Sequence, residues 1–310
     1  MADLTTALVL TAGLGTRLRP LTLVRAKPAI PIAGTPIVRR ILQSLADRGV
    51  TEVVLNLHHL PSTISAVVGD GSDLGLRARY SWEQPVVLGS AGGPRLALPI
   101  VAAETFFVVN GDTLTDFDPQ LLARAHEASG AEVTLALTPN LEPLRYGGVL
   151  LNQQGNVTGF ARRGPEAAGS FHFVGVQVVN ARAIEWLPVG EPFNSIGYAY
   201  DRLVREFPGS IKGLVVKTGF WDIGTIADYM DTHRHFAAVE HPSHQGARIG
   251  TGAQVTSSIL WDSIEVGDGA TVEECIVTDG VRIPPGSTYR RAILIAGESA
   301  LTTISLDQQF

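Results

Sequence analysis

The stretch 7-ALVLTAGLGTRLRP-20 decides how the chain is read. Four apolar residues run straight into a turn with Gly13 and Gly15, followed by Thr16, Arg17 and Arg19. Backbone N–H groups in a glycine-rich turn between a strand and a helix form a concave anion site, and glycine lets the chain approach a phosphate closely. Spacing excludes two common owners of such a loop. No G-K-[ST] follows, so it is not a Walker A loop, and the third glycine of G-x-G-x-x-G would fall at Leu18, so it is a poor dinucleotide fingerprint. Taken alone, the residues also fit a plain glycine turn with solvated arginines.

Outward from this stretch, short β-type runs alternate with helical patterns: 52-EVVLNL-57, 105-TFFVVN-110, 132-EVTLAL-137 and 172-HFVGVQVV-179. Between 7-ALVL-10 and 52-EVVLNL-57, 36-PIVRRILQSLADRG-49 places Ile37, Ile41 and Leu45 on one helical face, with Pro36 at its start and Gly49 at its end. The expectation is an α/β fold, a Rossmann-like three-layer domain whose central sheet is mostly parallel, with its site beyond the carboxyl ends of the strands.

The last quarter has another rhythm. Ile249, Val266 and Ile283, and likewise Gly252, Gly269 and Gly286, recur every 17 residues. Six-residue steps inside such a coil predict a short left-handed β-helix with apolar residues pointing inward. The expected division is residues 1–240 and 241–310, with 241-HPSHQGA-247 as the joint. Cys275, the single cysteine, is expected to be buried in the coil; it excludes an intramolecular disulfide framework and points to the cytoplasm. A net charge of −6 argues against a nucleic-acid binder, and no apolar run approaches a membrane span. The segment 4–15 reads as a first strand rather than a signal peptide.

The wider stretch 11-TAGLGTRLRPLTLVRAKPAIPIAGTP-36 resembles the signature of the sugar-1-phosphate nucleotidyltransferases, or nucleotide-sugar pyrophosphorylases. The pattern G-x-G-[ST]-R-[LM]-x-P-x-T, then K-P, is met by Gly13, Gly15, Thr16, Arg17, Leu18, Pro20, Thr22, Lys27 and Pro28. Further landmarks follow in order: 83-EQPVVLGSAGG-93, 109-VNGDTL-114, 146-YGGV-149 and 219-GFWDIGTIADY-229. The resemblance implies transfer of a nucleotidyl group from a nucleoside triphosphate to a sugar 1-phosphate. It places the nucleotide on the backbone from Leu10 through Ala12, Gly13 and Gly15 to Thr16, the β- and γ-phosphates on Arg17, and Lys27 at the phosphates between the substrates. Asp112 and Asp222 would hold Mg²⁺, a hard cation suited to one or two carboxylates plus phosphate oxygens. Seen alone, either aspartate reads more readily as a turn or helix cap than as a metal ligand; the family contexts N-G-D and W-x-D-[IV]-G reverse that reading.

Glu83, Gly89 and Ser90 fall where such enzymes read the base, and the glutamate form resembles mannose-1-phosphate guanylyltransferases, favouring GTP and a mannose-type sugar. The residues alone equally let Glu83 cap the next helix or meet Arg79. Tyr146, Gly147, Arg163, Gly175 and Trp221 are the expected sugar-phosphate contacts. Two departures touch the sugar: 161-ARRGP-165 puts Arg162 where relatives carry an acid, and 173-FVG-175 lacks an asparagine. Uridylyl or thymidylyl transfer to a hexose or N-acetylated sugar 1-phosphate stays open, as does a noncatalytic nucleotide-sugar-binding subunit. His58, His59, His233 and His235 read as structural or solvated, and His241 and His244 make no acyltransferase centre. The short solenoid, with its open ends, predicts a homo-oligomer.

Overall fold

A computed structural model describes residues 4–240, 246–297 and 300–308, so that His241 and His244 lie outside the described residues. In chain order the elements are β1 (Thr6–Leu10), a small hairpin of β2 (Pro31–Ile32) and β3 (Thr35–Pro36), α1 (Ile37–Ala46), β4 (Glu52–Leu57), α2 (Pro61–Val68), β5 (Arg77–Trp82), α3 (Gly89–Val101), β6 (Thr105–Asn110), β7 (Thr113–Thr115), α4 (Pro119–Ser129), β8 (Val133–Pro139), β9 (Gly148–Leu151), β10 (Val157–Ala161), β11 (Phe171–Asn180), α5 (Arg182–Glu185), α6 (Tyr200–Glu206), β12 (Ile211–Val215), β13 (Phe220–Asp222) and α7 (Ile226–Glu240). The chain compacts into two units. One comprises Met1–Leu14, Ala26–Ala29 and Ile37–Asp222; the other comprises Gly15–Arg25, Ile30–Pro36 and Ile223–Phe310.

The first unit is built on a nine-stranded sheet with the path β10-β9-β11-β6-β1-β4-β5, while β8 joins β11 and carries β12. Neighbours β6, β1, β4 and β5 run parallel, as the alternating pattern predicts. The sheet as a whole is mixed, because β11 runs antiparallel to β6, β8 and β9, and β9 with β10 forms an antiparallel pair. Side chains alternate across a sheet, yet consecutive residues Ala7, Leu8 and Val9, and Val53, Val54 and Leu55, are all buried, so both faces are covered. One face packs Leu8, Val54, Phe106 and Val108 with Ala97 and Val101 of α3 and with Ala183, Tyr200 and Leu203.

The second unit contains the left-handed β-helix: parallel strands β14 (Arg248–Ile249), β15 (Gln254–Thr256), β16 (Ile259–Leu260), β17 (Glu265–Val266), β18 (Thr271–Glu273), β19 (Ile276–Val277), β20 (Arg282–Ile283), β21 (Thr288–Arg290) and β22 (Ala292–Ala296). Their register steps by 17, with Ile249 beside Val266 beside Ile283 and Val255 beside Val272 beside Tyr289. Cys275 is buried within the coils, and desolvation pushes its thiol pKa up. A last strand, β23 (Leu301–Ser305), folds back antiparallel on β22.

Candidate active site

The parallel strands β1 and β6 bring Leu10 level with Asn110, so the loops beginning at Thr11 and Gly111 leave the sheet at the same edge. Asp112 follows at once and leads into β7, whose antiparallel partner β13 sets Asp222 opposite Thr113. The two aspartates therefore arrive within one residue of each other across a two-stranded ladder. Lys27 opens a short 3-10 turn and places Nζ 2.7 Å from Asp112 Oδ2, with only 7% of the residue exposed. A buried ammonium with a charged partner is ordered; without it the charge would be costly. Two carboxylates offer the hard oxygens that Mg²⁺ takes, and their number leaves phosphate oxygens and water to complete its shell. Among the described residues, no group of three or more His, Cys, Asp or Glu side chains is placed to hold a metal by itself.

The glycine turn behaves as an open cradle. Among the described residues no backbone hydrogen bond takes the N–H of Gly13, Leu14 or Gly15. A Cβ added at Gly13 would meet nothing within 4 Å, so glycine there keeps space free rather than relieving a clash. Gly15 turns through φ 59° into the 3-10 turn Thr16–Leu18, and the hydroxyl of Thr22 donates back to the Gly15 carbonyl at 3.0 Å. In that unit Arg17 lays its guanidinium against Gly224, where a Cβ would lie 3.1 Å from one guanidinium nitrogen.

Glu83 ends up inside the sheet unit. It is fully buried: Oε1 accepts from Asn56 Nδ2 at 2.6 Å, and Oε2 from the backbone N–H of Leu88 at 2.6 Å, at the start of α3. A Cβ on Gly93 would come within 2.1 Å of Oε1, which is why the helix needs glycine at that point. Asn56 passes the connection on, its Oδ1 accepting from Thr11 N at 2.6 Å and its backbone carbonyl from the Thr11 hydroxyl. Thus Glu83 ties the ends of β1, β4 and β5 to the helix start; of the roles open to it in the sequence, the structure shows the cap, while Arg79 pairs with Glu52 at 3.1 Å instead. Ser90 is likewise engaged, its Oγ accepting from Ser195 N and lying 2.9 Å from Ser195 Oγ.

Beside Asp222, aromatic rings pack into a wall of side chains. Tyr146 and His172 have ring centroids 4.2 Å apart, and Phe220 lies 4.8 Å from His172. The Arg145 guanidinium sits 4.8 Å from the Tyr146 centroid and reaches to 3.9 Å from Asp222 Oδ2. Burial drives the His172 pKa down to about 4; a backbone hydrogen bond to Gly147 opposes this and the Arg145 charge adds to it. The ring stays neutral near pH 7, and its Nε2 is buried with no hydrogen-bond partner among the described residues. Gly147 packs close to the Ala161 carbonyl, setting 161-ARRGP-165 beside this wall with Arg162 and Arg163 exposed. Gly175 sits at φ 85° in a bulge of β11 against Asn110, and Trp221 is half-buried on β13.

Lys27, Asp112, Asp222, Tyr146 and Gly147 therefore come together in the first unit, whereas Glu83 and Ser90 serve internal bonds. Sequence reasoning passed over His172 and Arg145. Their one signal was a polar ring within an apolar strand and an arginine next to the anticipated Tyr146.

Two families of known proteins match stretches of the chain. Residues 6–238 match the family described as nucleotidyl transferase, and residues 234–297 match the GlmU-like, C-terminal hexapeptide family. The chain is 29% identical over 290 residues to a mannose-1-phosphate guanylyltransferase of Mycobacterium tuberculosis, covering 84% of this chain and 80% of that one. It is 29% identical to a UTP--glucose-1-phosphate uridylyltransferase of Synechocystis, covering 84% and 71%. It is 31% identical to the mannose-1-phosphate guanylyltransferase catalytic subunit beta of Drosophila melanogaster, covering 83% and 69%. Among solved structures, HddC of Yersinia pseudotuberculosis complexed with GMP-PN shares the fold, with a TM-score of 0.65, 24% identity, and coverage of 75% of this chain and 99% of that one.

Proposed function

The chain belongs to the nucleotidyl transferase family as a sugar-1-phosphate nucleotidyltransferase, and from that premise we propose that it joins GTP to a mannose-type sugar 1-phosphate. A phosphate oxygen of the sugar 1-phosphate attacks the α-phosphorus in line; the bond from that phosphorus to the bridging oxygen breaks, and pyrophosphate leaves. Little covalent work falls to the protein, so catalysis rests on position and on neutralising phosphate charge. The pair that carries this reading is Lys27 Nζ at 2.7 Å from Asp112. On ligand binding Lys27 exchanges this carboxylate for phosphate oxygens, and Arg17 grips the β- and γ-phosphates while the open amides of 13–15 hold the nucleotide. Asp112 and Asp222 would hold Mg²⁺, which supplies positive charge to the phosphates. Tyr146, Gly147, Arg163, Gly175 and Trp221 form the sugar-phosphate side, with Gly89 next to the base.

The choice of guanine rests on the relatives and on the sequence around Glu83, whose carboxylate acts from behind the base site by fixing Leu88 and Asn56. Uridylyl transfer is the second reading, favoured by the likeness to the Synechocystis uridylyltransferase. Pyrophosphate release measured across four nucleoside triphosphates and a panel of sugar 1-phosphates tests both: turnover should be highest with GTP and a mannose-type sugar, and activity only with UTP or dTTP overturns the guanylyl assignment. In this reading residues 1–240 are the catalytic domain, residues 241–310 the β-helix domain, and the enzyme works in the cytoplasm. Among the described residues no helix is long and apolar enough to cross a membrane.

A further inference from the structure

Arg25 lies in the signature stretch but outside the motif positions that the proposed chemistry uses. It is buried, and its guanidinium forms a fork with Asp279: Nε donates to Oδ2 at 2.7 Å and a terminal nitrogen to Oδ1 at 2.6 Å. The same terminal nitrogen reaches Asp262 Oδ2 at 2.5 Å. Asp262 and Asp279 are 17 residues apart, one repeat, so the coil stacks them above each other, and Asp262 N also donates to Asp279 Oδ1 at 3.2 Å. The guanidinium stands 5.4 Å from the Trp261 ring. A planar, always-charged fork is suited to two carboxylates and an aromatic face at once, in a way lysine is not.

A second fixed point lies six residues on. Trp261 Nε1 donates to the Tyr229 hydroxyl at 2.9 Å, and that hydroxyl donates to the Pro31 carbonyl at 3.0 Å; both side chains are buried. Arg25 and Pro31 belong to the β-helix unit, while 26–29 between them belongs to the sheet unit, where Lys27 meets Asp112.

We propose that Arg25, Asp262 and Asp279 are positioning residues for nucleotidyl transfer: two stacked aspartates of the β-helix hold Arg25 and, with the Tyr229–Pro31 bond, fix both flanks of the short segment that presents Lys27. Lys27 itself touches none of the three, so they act through the chain on either side of it, Ala26 on one flank and residues 28–30 on the other.

The inference rests on the proposed role of Lys27, and the test separates the two. In the full chain, Arg25→Gln, Arg25→Lys and the double variant Asp262→Asn/Asp279→Asn are compared with Lys27→Ala. Two readouts are taken on folded protein: pyrophosphate-release kinetics, and the rate at which Lys27 is acetylated by acetic anhydride, followed by mass spectrometry. A misplacement of about 1 Å can cost on the order of a hundredfold in rate, so kcat should fall about tenfold to a hundredfold in Arg25→Gln and in the double variant, with KM for the sugar 1-phosphate nearly unchanged. Acetylation of Lys27 should rise several-fold in the same variants, and combining Arg25→Gln with the aspartate changes should add little. Arg25→Lys keeps the charge without the fork and should lie between. Unchanged labelling and kcat in folded Arg25→Gln and Arg25→Lys overturn the positioning role while leaving Lys27 in place. Full turnover by Lys27→Ala instead overturns the role of Lys27, and the labelling still reads the clamp.

Discussion

At the scale of the residue, Lys27 and His172 show what a sequence declares and what it hides. Lys27 stands in a K-P pair at a fixed distance from a glycine turn, so it was open to view as a candidate; its closeness to Asp112 required a short 3-10 turn and a strand exit remote from it in sequence to meet. If it stabilises charge that develops in the transition state, Lys27→Ala should lower kcat by about 10²–10³-fold, roughly 2.7–4 kcal/mol, in pyrophosphate release under saturating substrates. A change confined to KM would assign it to ground-state binding instead. His172 gave no such signal, since its partners Tyr146 and Phe220 come from distant segments. Its pKa of about 4 lies below the usual 6.5, chiefly through burial, so the folded state resists a proton that the unfolded state takes. Stability should thus be intact above pH 6.5 and fall as pH drops towards 4, by on the order of 2–4 kcal/mol. Urea unfolding at pH 7 and pH 4.5 should show this loss, and His172→Phe should flatten it; equal pH slopes in both proteins would remove His172 as the cause.

At the scale of the element, the sequence was most legible where a strand is short, apolar and followed by a helix. The runs 52–57 and 105–110 coincide with β4 and β6, and the helix expected over 36–49 forms over Ile37–Ala46. Direction was not legible in the same way, because an apolar run carries no mark of whether its neighbour runs parallel. The strand read at 172–179 lies within β11 but runs against β6, and it bulges between Phe173 and Gln177. Gly175 makes that bulge possible. Its φ of 85° and the Asn110 side chain 3.1 Å from an added Cβ leave an alanine both strained and crowded. Gly175→Ala should cost about 1–3 kcal/mol from the backbone conformation alone, seen as a lower denaturant midpoint with an unchanged slope. A midpoint equal to wild type would show that the bulge relaxes freely. Glu83 teaches the complementary point, that a position singled out by its motif can turn its side chain inward to tie three strand ends to a helix.

At the scale of the whole molecule, the period of 17 announced the β-helix, but could not show that residues 15–25 and 30–36 compact with it. That membership depends on Arg25 meeting two aspartates more than two hundred residues later, a pairing no local pattern encodes. The coil's ends carry a further consequence. At the last coil, β23 closes the edge of β22, whereas β20 and β21 have no further strand beside them among the described residues. At the first coil, Ile249 occupies the inward position of the repeat yet is 43% exposed, against 3% for Val266 and for Ile283. Open strand edges and an apolar residue without a coil above it favour pairing with a second chain, and closed symmetric assemblies are the usual outcome. Sedimentation at micromolar concentration should therefore give a mass at least twice the 33.0 kDa of the chain. Ile249→Lys should shift the population towards monomer without loss of the coil's circular dichroism, because a charge at that end opposes burial while the register below it is untouched. A monomeric wild type at that concentration refutes the assembly, and an oligomer indifferent to Ile249→Lys moves the contact away from the first coil.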